Sequence, residues 1–203
     1  MDFDELQTIL SDIKTYAKDR YIPIIRDKSA RFLYDYVVKH DCKNVLEIGT
    51  AIGYSGSIIL SANDCKLTTV EINGESFDKA KDTFARLNYS DRVNMYLMDA
   101  KDLLEKLVIN KEKFDLIFLD GAKGQYYNYL PSLTKLLSDD GVILADNVLL
   151  QGMVESNEVP SHKHRSMVMH LRDYLEAITH YPYETELIRM EDGLAITKYR
   201  GGK

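Results

Sequence analysis

Four residues, Asp120, Lys123, Asp146 and Asn147, have the types and spacing for joint chemistry. Asp120 closes an apolar run and opens Asp120-Gly121-Ala122-Lys123-Gly124-Gln125-Tyr126, and Asp146-Asn147 closes the next run. If those runs are adjacent parallel strands, two carboxylates and an amide oxygen reach one point. Such a hard, all-oxygen set suits Mg²⁺ and leaves positions for water and for a substrate's oxygens. Lys123, three residues past a metal-binding acid, would sit beside the bound substrate. A lysine near a divalent cation and partly desolvated can give up its proton and serve as a general base. Without the metal triad it would read as a solvated loop lysine.

A second constellation precedes this one. The first apolar run ends in Leu46-Glu47-Ile48-Gly49-Thr50-Ala51-Ile52-Gly53-Tyr54-Ser55-Gly56, and a helical pattern begins near Ser57. Glycines between a strand and its helix let the backbone turn sharply and approach a nucleotide. The spacing is G-x-x-x-G-x-x-G, so the dinucleotide fingerprint is not matched. Glu71 ends the second run about 20 residues further on, where an acid can take both ribose hydroxyls. Asp99-Ala100 ends the third run. Each acid alone reads equally well as a helix cap; four successive run ends, each with an acid or a glycine loop, point to a shared site.

The elements that must position these residues follow from periodicity. Phe3, Leu6, Ile9, Leu10, Ile13 and Tyr16 recur as one helical stripe expected to face the core. After the interruption at Pro23, a second helix carries Phe32, Leu33, Tyr36 and Val37. Five apolar runs then alternate with helical stretches: Asn44 to Ile48, Lys66 to Ile72, Val93 to Met98, Phe114 to Asp120 and Gly141 to Asn147. Short runs that are apolar on both faces imply an α/β fold, a mostly parallel doubly wound sheet. A helix from Ser166 to Thr179 precedes Tyr183 to Met190 and Leu194 to Tyr199, joined at Glu191-Asp192-Gly193, a hairpin signal that ends the sheet in an antiparallel pair.

The chain has 203 residues, and no linker, repeat or low-complexity segment divides it, so a single domain over residues 1–203 is expected. Its 45% hydrophobic and 29% charged composition excludes disordered and collagen-like classes. Mean hydropathy is -0.29, and no apolar run approaches the roughly 20 residues of a membrane helix. The acidic start lacks the features of a secretory signal, and Cys42 and Cys65 are too few for a disulfide framework, so a cytoplasmic protein is expected. The net charge of -6 argues against unselective nucleic-acid binding but leaves room for a local basic face.

Taken together, Val45-Leu46-Glu47-Ile48-Gly49 with Gly53-Tyr54-Ser55, Val70-Glu71-Ile72, Leu119-Asp120-Gly121-Ala122-Lys123 and Ala145-Asp146-Asn147-Val148 resemble the metal-dependent S-adenosylmethionine O-methyltransferases, the family of catechol and caffeoyl-CoA O-methyltransferases. The resemblance runs from about Ile25 to Tyr199. It implies a Rossmann-like class I methyltransferase fold, with N-terminal helices in residues 1–40 covering the donor site, and often a homodimer. It also implies roles. Glu47, Gly49 and Ser55 would hold the amino-acid part of the donor, with Thr50 beside them, Glu71 the ribose, and Asp99-Ala100 the adenine surroundings. Ile25 and Asp120 would add donor contacts. Asp120, Asp146 and Asn147 would bind Mg²⁺, and Lys123 would be the base. Methyl transfer from sulfonium to oxygen needs the two reactants aligned and the oxygen made nucleophilic.

A cation that accepts two vicinal oxygens suits a catechol and equally a 5-hydroxyuracil. Gly152-Met153-Val154, Ser161-His162-Lys163-His164-Arg165 and Met190-Glu191-Asp192-Gly193-Leu194-Ala195-Ile196 resemble the bacterial branch that methylates 5-hydroxyuridine at the tRNA wobble position. Charge agrees. Lys18 to Arg31 and Val159 to Arg172 each carry a local excess of three positive charges, so Arg26, Lys28, Lys163, His164 and Arg165 are expected to meet an anticodon loop. Ordinary solvated helix faces would show the same charges, and a small catechol-like acceptor is the alternative. His162 and His164 read as exposed or phosphate-contacting rather than zinc-binding. Tyr54, Tyr126, Tyr127 and Tyr129 read as core tyrosines before they read as base-stacking ones. An NAD-dependent reductase would need the tighter glycine pattern, and an amino-group methyltransferase a proline-rich loop after the fourth strand.

Overall fold

A computed structural model describes residues 2–156 and 158–202; Met1, at the head of the expected domain, Asn157, and Lys203 at its end lie outside the described residues. The chain divides into two compact units, residues 1–103 and 104–203.

The first unit opens with α1 (Phe3–Ile9) and α2 (Ser11–Asp19), where one continuous helix was expected. Leu10, at φ -85° and ψ 3°, interrupts the ladder between them. The buried stripe is Phe3, Leu6, Leu10, Ile13 and Ala17, whose spacing alternates three and four. Ile9 and Tyr16 each fall one position off that stripe: Ile9 is exposed and Tyr16 half-buried. α3 (Asp27–Lys39) buries Ser29, Ala30, Leu33 and Val37, and leaves Phe32 and Tyr36 half-buried. Then follow β1 (Asn44–Ile48), α4 (Tyr54–Ala62), β2 (Lys66–Glu71), α5 (Gly74–Arg86), β3 (Val93–Leu97) and α6, which begins at Ala100 and runs to Ile109. β2 pairs in parallel with both β1 and β3. β1 is buried at four of its five residues, whereas β3 is buried at none and exposes Leu97. The third run is therefore not buried on both faces as expected; among the described residues β3 pairs with β2 alone, at the edge of the sheet.

The second unit holds β4 (Phe114–Leu119), a 3₁₀ turn at Lys123–Gln125, α7 (Tyr126–Leu136), β5 (Leu137–Asp146), α8 (Arg165–Ile178), β6 (Tyr183–Ile188) and β7 (Leu194–Tyr199). β4 and β5 are parallel, and β7 lies antiparallel between β5 and β6, the antiparallel ending expected. β5 starts at Leu137, four residues before the expected Gly141, because the pairing passes through a register shift: Phe114 faces Leu137, but Leu116 faces Val142. Gly141 is required there, since a Cβ would lie 2.6 Å from the Phe114 carbonyl oxygen. The polar Ser138-Asp139-Asp140 disguises the strand's start.

Candidate active site

In the first unit, β1 delivers Glu47 and then turns through Gly49 (φ 103°), Ala51 (φ 45°) and Gly53 (φ 82°) into α4. A Cβ on Gly53 would come within 3.2 Å of the Ala80 Cα, so both conformation and space call for glycine. The loop is held by its own amides. Gly49 and Thr50 both donate to the Val70 carbonyl at 3.1 Å, and Gly53 donates to Thr50 at 2.9 Å. Glu71 braces it from β2: one carboxylate oxygen accepts from Ala51 N at 2.8 Å, the other from Ile72 N and Asn73 N.

Glu47 is fully buried. Ser55 Oγ donates to Oε1 at 2.5 Å and Thr69 Oγ1 to Oε2 at 2.6 Å. Because Thr69's proton goes to Glu47, Thr50 is the donor in its 2.6 Å contact with Thr69. Glu47, Ser55 and Thr50 are thus brought together as expected, around Thr69, which was not foreseen. The signal for it existed: Thr69 faces Glu47 in the parallel register. A carboxylate buried among hydroxyls, beside a backbone turn fixed for close approach, fits the ammonium end and nucleotide of a sulfonium donor. Ile25 is buried just before α3; Asp99 is exposed and its Oδ1 accepts from Lys101 N at 2.8 Å, so that acid caps the start of α6.

In the second unit, β4 ends at Leu119 and presents Asp120, whose Oδ1 lies 3.5 Å from Lys123 Nζ. β5 ends in Asp146, which is 1% exposed. Its Oδ1 accepts from Asn147 N at 2.7 Å, and its Oδ2 is buried without a hydrogen-bond partner. Burial pushes the Asp120 carboxyl above its ordinary range, against the pull of Lys123. Burial first, and the Asp120 charge second, push Asp146 up to about 7. Asn147 adopts φ 57°, and its amide nitrogen reaches Asp192 Oδ2 at 3.5 Å. That contact leaves the amide oxygen as Asn147's group for a cation.

Tyr126 and Asp192 complete this end of the unit and were not foreseen as site residues. The fully buried Tyr126 hydroxyl shares its one proton between the Leu119 carbonyl at 2.9 Å and the Asp146 carbonyl at 3.3 Å, tying the ends of β4 and β5 together. The Asp192 carbonyl accepts from Leu149 N at 2.8 Å. Among the described residues no three His, Cys, Asp or Glu side chains form a metal-binding group. A cation here would take Asp120, Asp146, the Asn147 amide and exogenous oxygens. Two mutually repelling carboxylates, one with an orphaned buried oxygen, fit a divalent cation.

The basic residues divide. Arg26, Lys28, Lys163 and Arg165 are exposed, and His164 is half-buried at the N-cap of α8. Arg31, counted in the first basic stretch, pairs with Asp35 at 2.9 Å. Arg172, counted in the second, donates to the carbonyls of Val154, Met153 and Ser156. Neither basic excess is therefore displayed in full. A cavity of about 380 Å³ is lined by His162, Arg165, Ser166, Met169, His170 and Asp173. Tyr54, Tyr126 and Tyr129 are core residues as expected; Tyr127 is 48% exposed.

Comparison with known proteins agrees with this geometry. A Staphylococcus aureus protein provisionally described as a caffeoyl-CoA O-methyltransferase superposes with a TM-score of 0.85 at 31% identity, over 95% of each chain. A Bacillus cereus O-methyltransferase in complex with SAH gives 0.82 at 25% identity, over 94% of this chain and 90% of that one. Caffeoyl-CoA O-methyltransferase 1 of Eucalyptus globulus is 29% identical over 66% of this chain and 56% of its own length. Tapetum-specific methyltransferase 1 of Arabidopsis thaliana is 29% identical over 70% of this chain and 59% of its own. The chain thus spans less than two thirds of the length of the curated plant relatives it matches. The fold is the α/β Rossmann-like methyltransferase fold, mostly parallel with antiparallel strands at its end. No helix among the described residues is long and apolar enough to cross a membrane. The O-methyltransferase family model matches residues 4–199, and the chain belongs to that family.

Proposed function

We propose that this protein transfers a methyl group from S-adenosylmethionine to a hydroxyl oxygen, with the help of a divalent cation, Mg²⁺ in the first instance. The observation that carries the reading is Asp146 Oδ2, a buried carboxylate oxygen with no partner, on a residue repelled by Asp120. The solved relative bound to SAH supports the choice of donor. When bound, the cation would make an acceptor hydroxyl more acidic, and the donor would supply an electrophilic methyl on sulfur.

This chain's own residues supply the rest. Glu47, with Ser55 and Thr69 fixing both of its oxygens, receives the donor's ammonium group. The Gly49 to Gly53 turn, with Thr50, lies along the donor; Glu71 takes the ribose hydroxyls while bracing the turn. Ile25, Asp99, Ala100 and Asp120 add the remaining donor contacts. Asp120, Asp146 and Asn147 hold the cation. Lys123 Nζ takes the acceptor's hydroxyl proton, and its contact with Asp120 keeps the amine on the reacting side of the loop. Alignment of sulfur, methyl carbon and oxygen does most of the remaining work.

For the acceptor we infer 5-hydroxyuridine at the tRNA wobble position, whose 5-hydroxyl and 4-oxo groups are vicinal oxygens. Lys163 and Arg165, exposed at the start of α8, support it, with Arg26 and Lys28 on the first unit. A second reading, a catechol or caffeoyl-CoA-like acceptor, is favoured by the relatives' names and by the internal use of Arg31 and Arg172. Nucleoside mass spectrometry of tRNA from a deletion strain decides between them. Loss of 5-methoxyuridine, restored by the gene, supports the tRNA reading. Normal 5-methoxyuridine, together with catechol methylation by the pure protein and Mg²⁺, overturns it.

A further inference from the structure

We infer that Gln7 is a positioning residue for the donor loop, acting through the Tyr54 hydroxyl; this rests on the reading of residues 47–55 as the donor site. Tyr54 is the first residue of α4 and follows Gly53 directly, so its ring sets where the loop ends and where Ser55 points. That ring is 1% exposed. Its hydroxyl donates to Gln7 Oε1 on α1 at 2.8 Å, across 47 residues of sequence. The same Gln7 oxygen lies 3.4 Å from Lys14 Nζ on α2, and Lys14 Nζ lies 2.5 Å from Asp27 Oδ1 at the start of α3. One polar cluster therefore fastens all three N-terminal helices to the donor turn.

The cluster is tuned rather than saturated. Gln7 Oε1 serves two donors, while Gln7 Nε2 is buried without a partner. An orphaned buried amide N–H is costly, so Gln7 is not explained as the best residue for packing alone. A glutamate there would keep the acceptor for Tyr54 but replace the orphaned N–H with an unpaired charged oxygen; a leucine would fill the space and strand the Tyr54 hydroxyl. The rest of the turn is fastened to β2, through Val70 and Glu71. Tyr54 is the anchor on the opposite side, and without it the Ser55 hydroxyl loses its fixed approach to Glu47.

The test is isothermal titration of the full-length protein with SAH, paired with its thermal midpoint. Gln7→Leu and Tyr54→Phe are each expected to bind SAH about tenfold more weakly, the loss of one buried hydrogen bond. The double variant should be no weaker than either single one. Gln7→Glu should restore binding, and in turnover assays the loss in Gln7→Leu should fall on KM for the donor more than on kcat. Should Gln7→Leu fail to fold, Tyr54→Phe, which removes one atom, carries the test. Wild-type SAH binding with unchanged affinity in both single variants, whatever their thermal midpoints, overturns the inference alone. No SAH binding by the wild type overturns the donor-site reading and the inference with it.

Discussion

Lys123 Nζ stands 3.5 Å from Asp120 Oδ1, three residues back along the same loop, so the proposed base and a proposed cation ligand share one carboxylate. A cation held by Asp120 would therefore draw on the same carboxylate that keeps the lysine amine beside the proposed site.

From that pairing, Lys123→Ala should lower kcat by about 10²–10⁴-fold, the range for losing a general base. Lys123→Arg should do the same, since a guanidinium keeps the ion pair but does not give up its proton. SAH affinity, measured alongside, should stay near wild type in both. Turnover by Lys123→Arg at the wild-type rate would remove the lysine from proton transfer.

Asp146 sets a pH dependence. Its carboxyl is raised from 3.8 to about 7, so the folded protein holds that proton more tightly than the unfolded chain does. Its contribution to stability is fully present below pH 3.8 and is lost as pH rises through about 7. Cation binding must displace the same proton, so Mg²⁺ affinity falls as pH drops below 7. Thermal melts should show a larger Mg²⁺-induced rise near about pH 8 than near about pH 6. Equal rises at both would show that Asp146 does not bind the cation.

Glu47 is held by two hydroxyls in a fully buried setting. Glu47→Gln keeps its shape but removes its charge, and should weaken SAH by about 10–100-fold, the worth of a charge-assisted hydrogen bond. Titration calorimetry reads this directly; unchanged affinity would move the donor's ammonium elsewhere.

If RNA is the acceptor, the basic residues should separate by what they touch. Lys163→Ala and Arg165→Ala should each reduce the slope of log K against log salt by about 1 for an anticodon stem-loop. Arg172→Ala should leave that slope alone and lower the thermal midpoint, because its guanidinium clamps the carbonyls of Met153, Val154 and Ser156. Salt-dependent binding isotherms separate the two classes.

Much of this was legible in the residues, because strands and their closing acids leave periodic, local signals. The apolar runs before Glu71, Asp120 and Asp146 became β2, β4 and β5, and the Asp-Gly pair marked the final antiparallel ribbon. What escaped depends on partners distant in sequence. Arg172 looks like free charge until the carbonyls of another segment arrive around it. The break at Leu10 has no glycine or proline to announce it. The start of β5 was hidden by Ser138-Asp139-Asp140, where edge-of-element polarity and a register shift override the apolar pattern. Thr69, Tyr126 and Gln7 bear ordinary side chains whose importance lies in what they hydrogen-bond.

The most direct test of the central account is methyl transfer from labelled S-adenosylmethionine by protein stripped with EDTA, with Mg²⁺ added back, beside Asp146→Ala. Turnover should vanish on stripping, return with Mg²⁺, and stay absent in Asp146→Ala, which should still bind SAH. Turnover that survives EDTA, or that persists in Asp146→Ala, would contradict a cation held by Asp120, Asp146 and Asn147.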